Sequence, residues 1–405
     1  MNKKALADKI ESYLKTLCVD IGNRPPGSKQ NRQATDYFIK VVRFFGYQPQ
    51  VSEFDCIDWE YGDVLLTTQG NSFSALAGPY SLPCDLRAEL VEISTLEELE
   101  NSDISSKLVL LHGDITKEQL MPKGFTFYNP DEHKHIISLL EEKKPAAIIA
   151  ATSKNPEMVG SQYPFPLFED GDFDIPSVYM KDTEGAKMLQ YTGKEAYLRF
   201  ESCRIPSNGC NVIARKKGIG AKRIVVCAQI DSRKGTPGAL DNASGTVVLL
   251  ALAELLKDYS GKYQIEIFAI NGEDYYANSG EMLYLDENHG KMDDILLAIN
   301  LDDVGAKGER TAFSFYECSE DIKTVVRKAN GSDNKIIEGD PWHQGDHMIF
   351  VINQRPAVAL TSENMMKHLS EITHTERDTF ELVDCDMLAE TAFFLREVIL
   401  CLNGN

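Results

Sequence analysis

The chain lacks any run of about 18 consecutive apolar residues, the length that a membrane-spanning helix requires. Its N-terminus, MNKKALADKIESYLKTL, also lacks the apolar centre of a signal peptide, because charges interrupt it at helical spacing. Basic residues are in short supply: 42 Lys and Arg against 62 Asp and Glu, a net charge of −20. Nucleic acid and anionic membrane are therefore not expected partners, since both select clustered Lys and Arg. The nine cysteines are odd in number and form no CxxC pair, which argues against a disulfide frame and a thiolate metal site. They read as reduced thiols in a cytoplasmic protein, with Cys227 a small core residue. Repeats and low-complexity segments are missing too. What remains is 405 residues at 43% hydrophobic, ample for a large core and more than one average domain.

Apolar positions recur at helical intervals over Ala5–Cys18 and Ala34–Phe45, separated by IGNRPPGSKQN, whose prolines forbid one continuous helix. This start has too little apolar surface to stand alone and is expected to pack on the α/β core later in the chain. Gly46 reads as a C-cap before a strand over Tyr47–Phe54. From about Cys56 to Arg204 short β-rich runs alternate with turns, KPAAIIAATS being the strongest candidate for a central strand. Beyond Asn211 the pattern becomes strand–helix–strand, with an apolar helix from Ala243 to about Leu256 and strands over Ala312–Tyr316 and Ala357–Thr361. A last helix is expected from about Asp386 to Leu402. Parallel strands joined by helices imply an α/β layer with helices on both faces.

Three strands in this part run into acids. RIVVCAQ (Arg223–Gln229) leads to Asp231 and, across a Gly/Pro loop, to Asp241; QIEIFAI leads to Glu273 and Asp274; LLAINL leads to Asp302 and Asp303. Ligands of open α/β sheets bind at such strand ends. With His374 in the polar loop THTERDT, the acids suggest a carboxylate-rich zinc site able to activate water. Singly, each acid would pass as a helix cap or a solvated loop residue; the repetition of the pattern argues otherwise.

GALDNASG, FAINGED, INLDDVG and HTERDT, in this order, resemble the co-catalytic zinc aminopeptidases of the bacterial leucyl aminopeptidase and aminopeptidase Y type. IGNRPPGS is similar to that family's early Arg…Gly-Ser signature. The middle stretch, with DIPSVYMKDTEGAKMLQ, resembles a protease-associated domain. The resemblance implies a zinc-exopeptidase-like (phosphorylase/hydrolase-like) mostly parallel sheet over 1–55 and 205–405, interrupted by a β-rich protease-associated insertion over 56–204. It also implies roles. Asp241 would bridge two metals; Asp274 and His374 would complete the first site. Asp302, with Asp303 as the alternative, would bind the second. Glu273 would be the general base that takes a proton from zinc-activated water, and Asp231 an acid behind the ligands. Peptides with a free N-terminus would be the substrates; oligomeric state stays open.

One position departs from that pattern. Where the family has His-x-Asp, this chain has Gln229-Ile230-Asp231, and an amide oxygen is a much poorer zinc ligand than imidazole. One firmly bound zinc and a second that is weak or absent are expected, with Gln229 a weak or lost ligand. A mono-zinc enzyme resembling the glutaminyl cyclases is a second reading. A catalytically silent pseudo-peptidase that binds partners is a third, against which the retention of Glu273 counts. Tyr275, Tyr276 and His347 are candidates for the substrate pocket. His368 is expected in an exposed loop, and DEHKH, with His133 and His135, at a solvated helix start.

Overall fold

The computed structural model describes residues 2–153, 164–330 and 335–404. The chain divides into two compact units, Met1–Cys56 with Ser207–Asn405, and Ile57–Pro206.

The first unit is built on a sheet whose centre is parallel. Gln264–Ile270, Arg223–Gln229, Ile295–Leu301 and Ala357–Ser362 lie side by side in that order, all running the same way. Antiparallel neighbours flank them: Ser202–Lys216 beside Gln264–Ile270, and Thr311–Tyr316 beside Ala357–Ser362. The central strands are apolar at most positions because both faces are covered, as the burial of Ile224 to Ala228 and Ile267 to Ile270 shows; the buried Glu266 among them is paired with Arg215 and Arg223.

The helix Gly245–Leu255 (GTVVLLALAEL) explains that cover. Every residue from Gly245 to Ala253 is buried, so the helix has no polar face and runs through the interior. Each fully buried Leu or Val there contributes about 1.5–3 kcal/mol by leaving water. Its start falls two residues after the expected one, because Asp241 and Asn242 adopt non-helical backbone angles just before it. The same core takes in the N-terminal helices Lys3–Lys15 and Lys29–Phe44, through Leu6, Ile10, Leu14 and Phe38, and the C-terminal helix Cys385–Leu402. The two-helix start thus shares the core of this unit.

The second unit has its own eight-stranded sheet, with Cys84–Ile93, Leu108–Leu111, Ala147–Thr152 and Ser177–Lys181 parallel at its centre. KPAAIIAATS does supply a central strand. The helix Asp131–Lys143 corrects one expectation: His133 is buried, not solvated, and its Nδ1 accepts the Met121 N–H at 3.1 Å. A second correction lies in the first unit, where His368 is buried on the short helix Met365–Glu371 with Nε2 3.0 Å from Glu309. All nine cysteines are free. Among the described residues no helix is long and apolar enough to cross a membrane.

Candidate metal centre

The C-terminal ends of three neighbouring parallel strands set the site. Gln229 closes one strand directly beside Ile270, which closes the next, so that Asp231 faces the loop Asn271–Asp274. Asp231 Oδ1 accepts the Gly272 N–H at 2.6 Å and its Oδ2 accepts the Asp274 N–H at 3.1 Å. It therefore shapes the loop that carries Glu273 and Asp274, a concrete task for the acid expected behind the ligands. Gly272 adopts φ +100°, a conformation that side chains rarely take, which lets the chain turn there.

Asp241 arrives from the loop before the buried helix, and two residues hold that loop. Asp378 accepts the Leu240 and Asp241 N–H groups at 2.7 and 3.0 Å. Burial pushes its carboxyl up to about 7, although the two N–H groups pull the other way. Arg24 is wholly buried and donates to the carbonyls of Leu17, Gly22, Ile230, Pro237 and Gly238 at 2.8–3.2 Å. Asn31 and Asn271 exchange side-chain hydrogen bonds at 2.8 and 2.9 Å, tying the helix Lys29–Phe44 to the acid-bearing loop. The early IGNRPPGS motif thus buttresses the strand ends. Sequence alone assigns no role to Arg24 or Asn31, and Asp378 passes there as part of a motif; an Arg beside two prolines and an Asp after HTER were the available signals.

His374, in the loop after Met365–Glu371, completes the cluster. Its Nε2 lies 2.9 Å from Asp241 Oδ2 and 2.9 Å from Asp274 Oδ1. Ligand atoms of Asp241, Asp274 and His374 all fall within 4.8 Å of one another. Residues far apart along the chain therefore meet at one point. Burial and Arg233 lower the affinity of the imidazole for a proton, but Asp274 and Asp241 outweigh them and hold its pKa up at about 10. Burial raises the Asp274 carboxyl, yet His374 and Arg233, whose Nε is 3.3 Å away, bring it down to about 2. Burial, then the Asp274 charge, pushes Asp241 the other way. Glu273 is pushed well above the usual carboxylate range by burial and by Asp274, Glu281 and Asp241.

These residues fit a zinc ion. Two carboxylates and an imidazole are a water-activating donor set, and Asp274 Oδ2 is buried without a hydrogen-bond partner among the described residues, an oxygen that a cation would satisfy. Carboxylates forced together in a buried pocket repel one another, and a divalent ion relieves this.

Oxygens of Asp241, Asp302 and Asp303 also lie within 4.8 Å of each other, an all-oxygen group with no nitrogen donor. Burial, then neighbouring acids, drives both Asp302 and Asp303 well above the usual range. Gln229 presents an N–H group to this side: its Nε2 donates to Asp241 Oδ1 at 2.9 Å and to Glu273 Oε2 at 3.3 Å.

Tyr275 and Tyr276 are both buried, their rings 4.5 Å apart. His347 has no exposed surface, so it does not line an open pocket. It packs against Trp342 and Tyr316, each with its ring centre 4.5 Å away, and Nε2 meets the Trp342 carbonyl at 3.0 Å. Burial holds its pKa down at about 4, from an ordinary 6.5. The unfolded chain therefore takes up this proton first. The stability His347 confers is complete above pH 6.5 and is lost as the pH falls towards 4, by about 3 kcal/mol. Melting curves of His347→Phe should fall less steeply than wild type across that window; parallel curves would contradict this.

Comparison with known proteins agrees with the fold. Residues 211–399 match peptidase family M28. A protein of Aspergillus fumigatus named probable leucine aminopeptidase 2 is 24% identical over 376 residues, 84% of this chain and 68% of that one. Aminopeptidase YwaD of Bacillus subtilis is 32% identical over 152 residues, 36% of this chain and 32% of its own length. Among solved structures, BSAP, a zinc aminopeptidase from Bacillus subtilis, superposes with a TM-score of 0.74 at 20% identity, covering 98% of this chain and 95% of that one. A glutaminyl cyclase of Porphyromonas gingivalis shares the fold more loosely, at a TM-score of 0.52, 16% identity and 98% of each chain. The four ordered motifs and the parallel strand ends that carry their acids all lie within residues 211–399, the stretch that matches peptidase family M28, and the relatives similar to this chain are named aminopeptidases.

Proposed function

We propose that the protein is a zinc-dependent hydrolase of aminopeptidase type, which removes N-terminal residues from peptides. The convergence of Asp241, Asp274 and His374 within 4.8 Å carries this reading. Those three residues would hold the ion. The chemistry zinc supplies there is polarisation of the scissile carbonyl and a lowered pKa for the attacking water. Glu273 takes the proton from that water and returns it to the leaving amine. Asp231 and Asp378 fix the two loops, so that base and ligands keep their spacing as the proton moves. Gln229 impairs the second metal position. The unit Ile57–Pro206 is a protease-associated-like insertion, and nine free thiols suit the reducing cytoplasm.

A one-zinc set of Asp, Asp and His also suits glutaminyl cyclisation, so the assay must include both reactions. Purified protein, stripped with a chelator and reloaded with zinc, is expected to regain hydrolysis of an aminoacyl-anilide panel and not cyclisation of N-terminal Gln peptides. Activity indifferent to zinc removal would refute the metallohydrolase. Cyclisation without hydrolysis would move the assignment to the cyclases, and silence in both would favour a binding protein. His374→Ala should abolish zinc retention altogether.

A further inference from the structure

We propose that the Gln229 side-chain amide occupies the place of a second cation, so that the chain holds a single divalent metal. This deepens the hydrolase reading and rests on it. Two buried amides can each face only one way. A backbone N–H can only donate, so the Asn242 atom 3.0 Å from the Gly245 nitrogen is Oδ1. Asn242 Nδ2 then donates to the Leu301 carbonyl at 2.7 Å and to Gln229 Oε1 at 2.8 Å. Turning Asn242 over would set donor against donor at Gly245 and oxygen against oxygen at Leu301. With Gln229 Oε1 thereby committed as an acceptor, Nε2 has to face Asp241 Oδ1 and Glu273 Oε2. Reversing Gln229 would press its oxygen against two carboxylates.

The two side chains are 1% and 0% exposed, so solvent cannot relieve either reversal. Gly245 makes the anchor possible: a Cβ there would come 2.4 Å from Asn242 Oδ1 and 2.8 Å from the Leu301 oxygen. Two backbone groups thus dictate, through two amides, that hydrogens and not a lone pair point at the acids. Both Asp241 oxygens are engaged, Oδ2 by His374 and Oδ1 by Gln229. An ion bridging from Asp241 towards Asp302 would meet the positive end of the amide dipole where the ligand pattern calls for imidazole. The N–H2 group satisfies Asp241 and Glu273 in its stead.

The test counts metal in the full chain. Protein is equilibrated with excess zinc, or separately manganese, freed of unbound ion by gel filtration and measured by plasma mass spectrometry. One ion per chain is expected for the wild type, two for Gln229→His and none for His374→Ala. Gln229→Glu, nearly identical in shape, should also take up a second ion, and serves if the histidine variant misfolds. Two ions of either metal in the wild type would overturn the inference while leaving the hydrolase reading intact. So would one ion in a folded Gln229→His or Gln229→Glu. No ion in the wild type would defeat the hydrolase reading, and the inference with it.

Discussion

Glu273→Gln is expected to lower kcat by about 10²–10⁴-fold, the range for removal of a general base, while the protein retains its zinc. The separation follows from the geometry. The ion would be held by Asp241, Asp274 and His374, none of which is altered. The glutamine keeps the shape of Glu273 and can still accept the Gln229 N–H through its amide oxygen. Only the capacity to take a proton is removed. Because a base acts in the transition state, kcat and kcat/KM should fall together, with KM little changed. Zinc analysis beside steady-state kinetics on an aminoacyl-anilide decides it. Undiminished turnover would exclude Glu273 as the base; lost zinc would reveal a role in holding the ion.

The second large effect is structural. Arg24→Met should cost about 3–5 kcal/mol, because it removes several hydrogen bonds to a charged group, each worth about 1.5–3 kcal/mol. Five carbonyls now served by one guanidinium, those of Leu17, Gly22, Ile230, Pro237 and Gly238, would lose that donor; Leu17 and Gly238 would keep the Gly22 and Ala243 N–H groups, while the buried Ile230 contact would go unreplaced. For a unit of this size that corresponds to a fall in melting temperature of about 10 °C. Lysine should rescue little, since a single ammonium cannot span the positions that a planar fork reaches. Zinc affinity should drop as well, because Pro237 and Gly238 lead into Asp241. A variant melting within about 2 °C of wild type with unchanged zinc affinity would refute the clamp.

Much of this site was legible in the sequence because strand ends write it plainly. An apolar run both announces a central parallel strand and places the next acid at the ligand-binding edge, which is how Asp241, Glu273, Asp274 and Asp302 could be singled out. His374 followed from the ordered resemblance of HTERDT. Arg24, Asn31 and Asp378 escaped because their work is done on backbone groups distant in sequence, and no local pattern encodes a partner 206 or 138 residues away. His133 and His368 were misjudged for a related reason. Polar neighbours on a helix describe only one face of it, and burial depends on which face the rest of the unit covers. Gln229 was visible as a substitution. That its hydrogens, and not its oxygen, face the acids depends on the Gly245 N–H, whose approach to Asn242 exists only in the folded chain.

The distribution of these contacts along the polypeptide has a consequence for biosynthesis. Asp241 emerges from the ribosome well before Asp378, which fixes its backbone, and before His374, which closes the ligand set. Until then the acids of the cluster stand without the imidazole that meets Asp241 and Asp274 in the folded chain. On the proposed ligand set, this site would be completed only once the unit is nearly whole, and a ribosome stalled short of His374 would present the cluster without its imidazole.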